Sequence, residues 1–405
     1  MKILFVTGNY LPGKNGGIEN YVHWVATVLL QHQIIVEVAA LNVIENADYF
    51  YDGVNVNYMN GSLFNFENLL HKGDFDICHF HEYSAFGGIE IPWFTKAREY
   101  CNKVYFTFHL PYFTCYKADF RYRGIEDCNN FSSTERCLNC LLAEKMNYTK
   151  NAGWDIKNSL IDLSIPAIKM LPPIKKIKAN IQLSRKGLNE LIDTCDIVFV
   201  VADWFRKILE DNGINSAKIK KFPPIAKTTN TPLPESSVDI SKKMVFAGRV
   251  EKQKGLHLLC KAMNRIASKN IELDVFGNKV DKEYFNACNK EYAFNYKGVM
   301  PREKLLILLT NYDFLILPSV CTEMYSMILQ EAFFEHVPVI ASNSKGNMDM
   351  VTDGINGFLF EYDNARDLAA TIDKAYDLKK KGWQPAFTYP ENPEKDVEEI
   401  ISYYC

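Results

Sequence analysis

Two successive series of short apolar runs, each followed by helix-length sequence, constrain this chain more than any other feature. Ile3–Val6, Ile34–Ala40, Ile77–Phe80, Val104–Phe108 and Ile197–Val201 each have the length and continuity of a strand buried on both faces of a parallel sheet. Segments such as Asn20–Leu30 lie between them and read as crossover helices, so the first half is built from βαβ units. A Thr-, Pro- and Ser-rich stretch from Thr228 to Ser241 reads as a linker. The pattern then restarts with Val245–Ala247, Leu273–Phe276, Phe314–Leu317 and Val337–Ala341, and Leu256, Leu259, Met263 and Ile266 mark one helix face. At 405 residues the chain has room for two such α/β lobes. Two doubly wound lobes put ligand crevices at the carboxyl ends of their strands, facing each other across a cleft.

Bulk properties exclude several classes. The chain is 47% hydrophobic and 23% charged, a globular balance rather than a disordered one. A formal charge of -3 gives no footprint for nucleic-acid binding. The first apolar run, Ile3–Val6, is too short for a signal peptide, and no stretch reaches the roughly 18 apolar residues of a membrane span. A cytoplasmic location follows as the expectation. In that compartment the eleven cysteines are reduced thiols or metal ligands.

The strand-to-helix loops carry the chemistry. After the first strand come Gly8 and then Pro12-Gly13-Lys14-Asn15-Gly16-Gly17-Ile18-Glu19. Such a loop lets backbone N–H groups approach a phosphate at a helix N-terminus, although a plain tight turn uses the same residues. Gly8 and Gly13-Lys14 have Walker A spacing, but Asn15 stands where a Ser or Thr hydroxyl would hold Mg²⁺. In the second series Gly248-Arg249 leaves a strand, and Lys254-Gly255 opens the next helix. Two cations beside a helix N-terminus suit a diphosphate. Further on, Glu323 follows a strand and Glu331 lies within the next helix; such carboxylates can accept paired hydrogen bonds from vicinal hydroxyls. Between them, the backbone N–H groups of Met324, Tyr325 and Ser326 are expected to be uncapped helix donors able to face phosphate.

Taken together, these blocks resemble glycosyltransferase family four, the retaining, nucleotide-sugar-dependent transferases of the GT-B fold. The resemblance rests on Gly16-Gly17-Ile18-Glu19, on Gly248-Arg249 with Lys254-Gly255, on Glu323-x7-Glu331, and on Asp353-Gly354-x-Asn356-Gly357. It implies that Arg249 and Lys254 bind the donor diphosphate, Glu331 the ribose, and Glu323 the sugar hydroxyls near the reacting carbon. It also implies a sugar-contacting role for His109 and an acceptor-side place for Glu19 and for the strand-end pair His79 and His81. The chain departs from the family pattern at Met324-Tyr325 (usually Phe-Gly), Lys345-Gly346 (Gly-Gly), Asp349 (often Glu) and Phe222-Pro223-Pro224 (Asn-Gly). The expected domains are an acceptor-side lobe over 1–227, a donor lobe over 228–380, and a tail over 381–405 that can return to the first lobe. No cofactor is required on this reading, because fixed cations take the place of a metal at the donor. Two rivals remain open: a sugar-nucleotide epimerase on the same scaffold, and a Walker-type nucleotide-binding regulator.

Two features stand outside these blocks. Cys115, Cys128, Cys137 and Cys140 cluster in an insert spanning 111–145, and Cys137-Leu138-Asn139-Cys140 has the half-site spacing of zinc, so a structural zinc is one reading and four free thiols the other. From Leu163 to Asn189 there is no acidic residue but six basic ones. If Pro173 starts a helix, Ile174, Ile177, Ile181 and Leu188 form one apolar stripe. The stripe either packs on the core or makes a peripheral contact with anionic lipid or a lipid-linked acceptor.

Overall fold

The protein, described from a computed structural model, divides into two compact units: 1–223 with 394–405, and 224–393. The structure describes all residues except 15, 44–45, 112–113, 132, 147–155, 223–241, 269 and 388–392. The expected linker over 228–241 therefore lies outside the described residues.

In chain order the first unit carries β1 (Lys2–Asn9), α1 (Gly17–Gln31), β2 (Ile35–Asn42), β3 (Tyr49–Tyr51), β4 (Val54–Tyr58), α2 (Leu63–Gly73), β5 (Ile77–Phe80), α3 (Ile91–Tyr100) and β6 (Lys103–Phe108). The insert then supplies β7 (Arg121–Tyr122), β8 (Glu126–Asp127) and α4 (Thr134–Lys145), and α5 (Ile156–Ile168) and α6 (Pro172–Thr194) follow it. The main series resumes with β9 (Ile197–Val200), α7 (Asp203–Asp211) and β10 (Ile219–Lys221). Its sheet runs β10-β9-β6-β5-β1-β2-β4-β3, parallel except for the β3–β4 hairpin at one edge. Ile3, Leu4, Phe5 and Val6 of central β1 are fully buried, as a strand covered on both faces requires.

The second unit carries β11 (Lys243–Ala247), α8 (Leu256–Met263), β12 (Glu272–Phe276), α9 (Lys282–Glu291), β13 (Asn295–Gly298) and α10 (Arg302–Leu309). It continues through β14 (Phe314–Leu317), α11 (Met327–Phe334), β15 (Val339–Ser342), α12 (Lys345–Met348), β16 (Gly357–Phe360) and α13 (Ala365–Lys380). Its six strands are all parallel, in the order β13-β12-β11-β14-β15-β16. Leu256, Leu259 and Met263 face the core as their spacing predicts. Ile266 also packs there, but from beyond the end of α8.

The last helix, α14 (Pro393–Tyr404), belongs to the first unit apart from its first residue. It is held there chemically: the Tyr105 hydroxyl donates to the Tyr403 carbonyl at 2.9 Å, and the buried Tyr404 hydroxyl lies 2.6 Å from His79 Nδ1. Residues 381–393 stay with the second unit. Among the described residues no helix is long and apolar enough to cross a membrane.

The basic stretch covers the end of α5, the turn with Lys169 and most of α6, which starts at Pro172 with Leu171 as its N-cap, one residue before the expected Pro173. Its stripe does not face outward. Ile174 and Ile177 pack on a cluster that includes Ile181, Leu138 and Leu142, and Leu188 is buried, so the apolar stripe is taken up by the unit's own helices.

Candidate functional site

In the second unit the carboxyl ends of the strands bring four of the expected residues onto neighbouring loops. β11 runs into Gly248-Arg249, and Lys254 closes a short 3₁₀ turn over Lys252–Lys254. Gly255 follows at φ 75°, and a Cβ there would lie 1.8 Å from the Pro318 carbonyl oxygen. This close approach seats Lys254 against the loop after β14, and Val320 N donating to the Gln253 carbonyl at 2.9 Å locks the two loops together.

Lys254 Nζ then donates to Glu323 Oε1 at 2.7 Å, and the Ser319 hydroxyl donates to the same oxygen at 2.7 Å. Burial alone would lower the lysine pKa, but the Glu323 carboxylate outweighs it and raises the value. Burial likewise works to raise Glu323, and Lys254 more than offsets it, so Glu323 stays below the usual carboxylate range. The pair is therefore ionised near neutrality. Arg249 is different: its side chain is 64% exposed and pairs with Glu251 at 2.9 Å, leaving it near the pair but able to swing. Beneath the loop, the Ser342 hydroxyl donates to the Ser319 carbonyl at 2.9 Å and Asn347 Nδ2 to the Ser342 carbonyl at 2.9 Å, all fully buried. Sequence reasoning missed this prop, because nothing in the spacing of Ser319, Ser342 and Asn347 marks them as a network.

One expectation needs correction. Helix α11 begins at Met327 with Ser326 as its N-cap, and the Ser326 side chain makes no capping hydrogen bond. Met324 and Tyr325 therefore precede the helix, and of the three expected donors only Ser326, as N-cap, belongs to its N-terminus, followed by Met327 and Ile328. Glu331 lies in the second turn of α11, buried, and is ion-paired to Arg302 at the start of α10. Burial pushes its carboxyl up to about 7, Arg302 works against this, and nearby Glu335 adds to it. Arg302 escaped the sequence reading: it follows Pro301 at an ordinary helix start and is brought to Glu331 only by the fold.

The first unit gathers the acceptor-side candidates at the ends of β1, β5 and β6. Gly16 is the N-cap of α1 and Gly17 its first residue. Glu19 is buried over Gly16 and pairs with Lys14 Nζ at 3.4 Å, so the lysine of the Walker-like spacing already has a carboxylate partner; Asn15 lies outside the described residues. Glu82, unmarked by any motif, lies close by. Burial raises its pKa, while the Gly8 backbone N–H and Lys14 hold it down and Glu19 raises it further. Its only sequence signal is its place directly after His81 at the strand end.

His79, His81 and His109 form one buried imidazole group, but they are not equivalent. His79 has both ring nitrogens engaged, with Tyr404 at 2.6 Å and Thr107 at 2.7 Å, so its expected acceptor-side role is corrected to a structural one. His81 Nδ1 lies 3.1 Å from His109 Nε2, and Tyr21 packs edge-on against both rings. Burial lowers all three pKa values, that of His109 to about 3. Near neutrality these rings are uncharged, and His109 can exchange hydrogen bonds with a hydroxyl but cannot supply charge.

In the insert, Cys115, Cys128, Cys137 and Cys140 line a single cavity together with Lys117, Arg121 and Arg136. Arg185 Nη2 lies 2.8 Å from Cys137 Sγ, and Arg123 N donates to Cys140 Sγ at 3.0 Å. Among the described residues no three His, Cys, Asp or Glu side chains are arranged to hold a metal ion. The donor set suits zinc chemically, while the geometry draws the thiols together without closing them around one point.

Comparison with known proteins bears on the donor side first. Residues 234–384, inside the second unit, match the family model described as Glycosyl transferases group 1. Over 170 residues the chain is 26% identical to an uncharacterised glycosyltransferase of Methanocaldococcus jannaschii, covering 41% of this chain and 42% of that protein. The chain spans about half or less of the length of the curated relatives it matches. Among solved structures it resembles a sucrose-phosphate synthase from Thermosynechococcus elongatus, with a TM-score of 0.63 at 14% identity, covering 100% of this chain and 98% of that one. It also resembles the HepE protein of Anabaena in complex with UDP, with a TM-score of 0.57 at 14% identity, covering 100% and 99%. These likenesses define the fold as GT-B. Residues 234–384, which carry the loops of Arg249, Lys254, Glu323 and Glu331, thus share the family's likeness in sequence, and the chain as a whole shares it in fold.

Proposed function

We propose that this chain is a retaining, metal-independent glycosyltransferase of family four. It moves a hexosyl group from a nucleoside diphosphate sugar to a saccharide or lipid-linked acceptor in polysaccharide or glycolipid assembly. The observation that carries the reading is the ionised Lys254–Glu323 pair beside Arg249, within the stretch matched by the family model. The diphosphate of a nucleotide sugar already carries two negative charges, breaking the anomeric bond leaves a further one on it, and Arg249 and Lys254 are the cations available to neutralise them. Lys254 must then share itself between Glu323 and phosphate, which frees one Glu323 oxygen for a sugar hydroxyl. Glu331 takes the ribose hydroxyls in place of Arg302. On the acceptor side, neutral His109 orients a hydroxyl by hydrogen bonding, with Glu19 and Glu82 nearby as further acceptors. None of these groups is an obvious nucleophile toward the anomeric carbon, which favours front-face attack by the acceptor.

Thermal-shift measurements with a panel of nucleoside diphosphates and sugar nucleotides test this reading. One donor should raise the midpoint, since a ligand at 100 times its Kd adds about 2.7 kcal/mol. Incubating that donor without acceptor should leave its sugar unchanged; conversion would point to an epimerase. A shift confined to ATP or GTP with Mg²⁺ would favour the nucleotide-binding regulator instead.

The cysteine cavity is carried as a structural zinc site on the strength of its four thiols alone, since its cationic rim works against a dication. Purified protein should then contain about one equivalent of zinc by elemental analysis, and Cys137→Ser should lower it sharply. Metal-free protein would return the four residues to ordinary thiols.

A further inference from the structure

The helix pair that follows the insert turns a second apolar face outward, away from the one it buries. Helices α5 and α6 are joined by Lys169, Met170 and Leu171. Their inner faces pack Ile161, Ile165 and Ile181 against α4. On the outer side, Leu163 is 76% exposed, Met170 73%, Leu160 61% and Leu171 52%. Leu160 and Leu163 on the outer face of α5 and Met170 and Leu171 in the turn after it, with exposed Pro166 and Ala167 between them and Pro172 and Pro173 following, make an apolar surface that a freely soluble protein seldom keeps.

Charge says what the patch fits. Lys175 and Lys176 are exposed one turn from the tip, and no acidic residue occurs from 163 to 189. Lys169 and Lys178 share the single carboxylate of Glu135, so Lys175 and Lys176 carry most of the outward charge. Two copies meeting through this face would set these lysines against each other, whereas an anionic surface would attract them.

We propose that the α5–α6 tip docks on an anionic lipid bilayer. Leu163, Met170 and Leu171 enter the boundary between headgroups and acyl chains, and Lys175 and Lys176 lie at the lipid phosphates. This differs from a contact through the Ile174 stripe, which the unit consumes in its own packing. It also stands apart from the glycosyltransferase reading, because no donor or acceptor enters the argument.

The intact protein should co-sediment with vesicles of phosphatidylcholine and phosphatidylglycerol in equal parts. It should leave vesicles of phosphatidylcholine alone in the supernatant, and its binding should fall as salt rises. Each lysine near the surface contributes about fivefold, so Lys175→Ala with Lys176→Ala should weaken binding by roughly 30-fold. Leu163→Asp with Met170→Asp should weaken it at least as much while leaving the thermal midpoint unchanged, because both side chains are exposed. Leu163→Trp should show a blue shift in emission when the mixed vesicles are added. Equal or absent binding of the wild-type protein to both vesicles would overturn the proposal, as would full binding by the Asp double variant. A dimer in sedimentation that the Asp variant abolishes would assign the face to a second copy and overturn it equally.

Discussion

Arg249→Ala is expected to lower kcat by about 10²–10³ while leaving the fold intact, and Lys254→Ala to lower kcat as much while also destabilising the second unit. A charge-assisted contact that strengthens as a leaving group departs is worth about 2.7–4 kcal/mol of transition-state stabilisation, by analogy with a lost oxyanion donor. The two cations differ in what they leave behind. Arg249 is largely exposed and its partner Glu251 can rehydrate, so its loss is felt in catalysis alone. Lys254 is the counter-charge of a mostly buried carboxylate, and stranding Glu323 costs about 3–5 kcal/mol. Adding Glu323→Gln to Lys254→Ala should restore much of the stability and none of the kcat. Glu331→Ala should mainly raise KM for the donor, since a ribose contact is made alike in ground and transition states. Steady-state kinetics with thermal melts, in EDTA throughout, supply the test. Near-normal kcat in both cation variants would place the leaving-group charge elsewhere. So would wild-type activity that is lost in EDTA and restored by Mg²⁺ or Mn²⁺.

How far the molecule can be read from its sequence depends on whether a feature is local. The central strands were legible because a parallel strand covered on both faces must be continuously apolar, and Ile77–Phe80 and Phe314–Leu317 keep their expected bounds. The strands left unread lie toward sheet edges, where that requirement relaxes. Asn295–Gly298 is mostly polar, Ile219–Lys221 carries lysine at two of its three positions, and the β3–β4 hairpin announces itself only through Asp52-Gly53, both at positive φ. The donor loops were legible because each is a short motif at a strand end. Arg302, which reaches Glu331 from another helix, was not, nor in the first unit was Glu82, which comes near Glu19 from the loop after β5. His79 and His81 look alike in sequence, two residues apart on one strand end. Only Tyr404, from the far end of the chain, and Thr107 make one of them structural. The basic stretch failed differently. Helical spacing correctly identified an apolar stripe on α6, but the exposed apolar residues sit on the outer face of α5 and in the turn before α6, outside the stripe that was read.

Replacing Gly255 with alanine is expected to cost several kcal/mol and most of the activity, because this residue meets two independent demands. Its φ of 75° is one that side chains bearing a Cβ rarely adopt, which alone costs about 1–2 kcal/mol. Its Cβ would also lie 1.8 Å from the Pro318 carbonyl oxygen, a backbone atom that cannot rotate away. The loops carrying Lys254 and Glu323 would have to separate, adding an overpacking cost of about 1–3 kcal/mol. Gly354 provides the control, since it has φ 76° in the same unit with nothing within 4 Å of where a Cβ would go. Gly354→Ala should therefore show the backbone cost alone. In a unit of this size each kcal/mol moves the melting midpoint by about 2–4 °C, so the two variants should be clearly resolved by calorimetry. Separation of the loops also weakens the Lys254–Glu323 contact, so Gly255→Ala should lose kcat along with stability while Gly354→Ala keeps it. Equal midpoints and equal kcat for the two alanine variants would mean that the close approach at Pro318 does not hold the donor loops together.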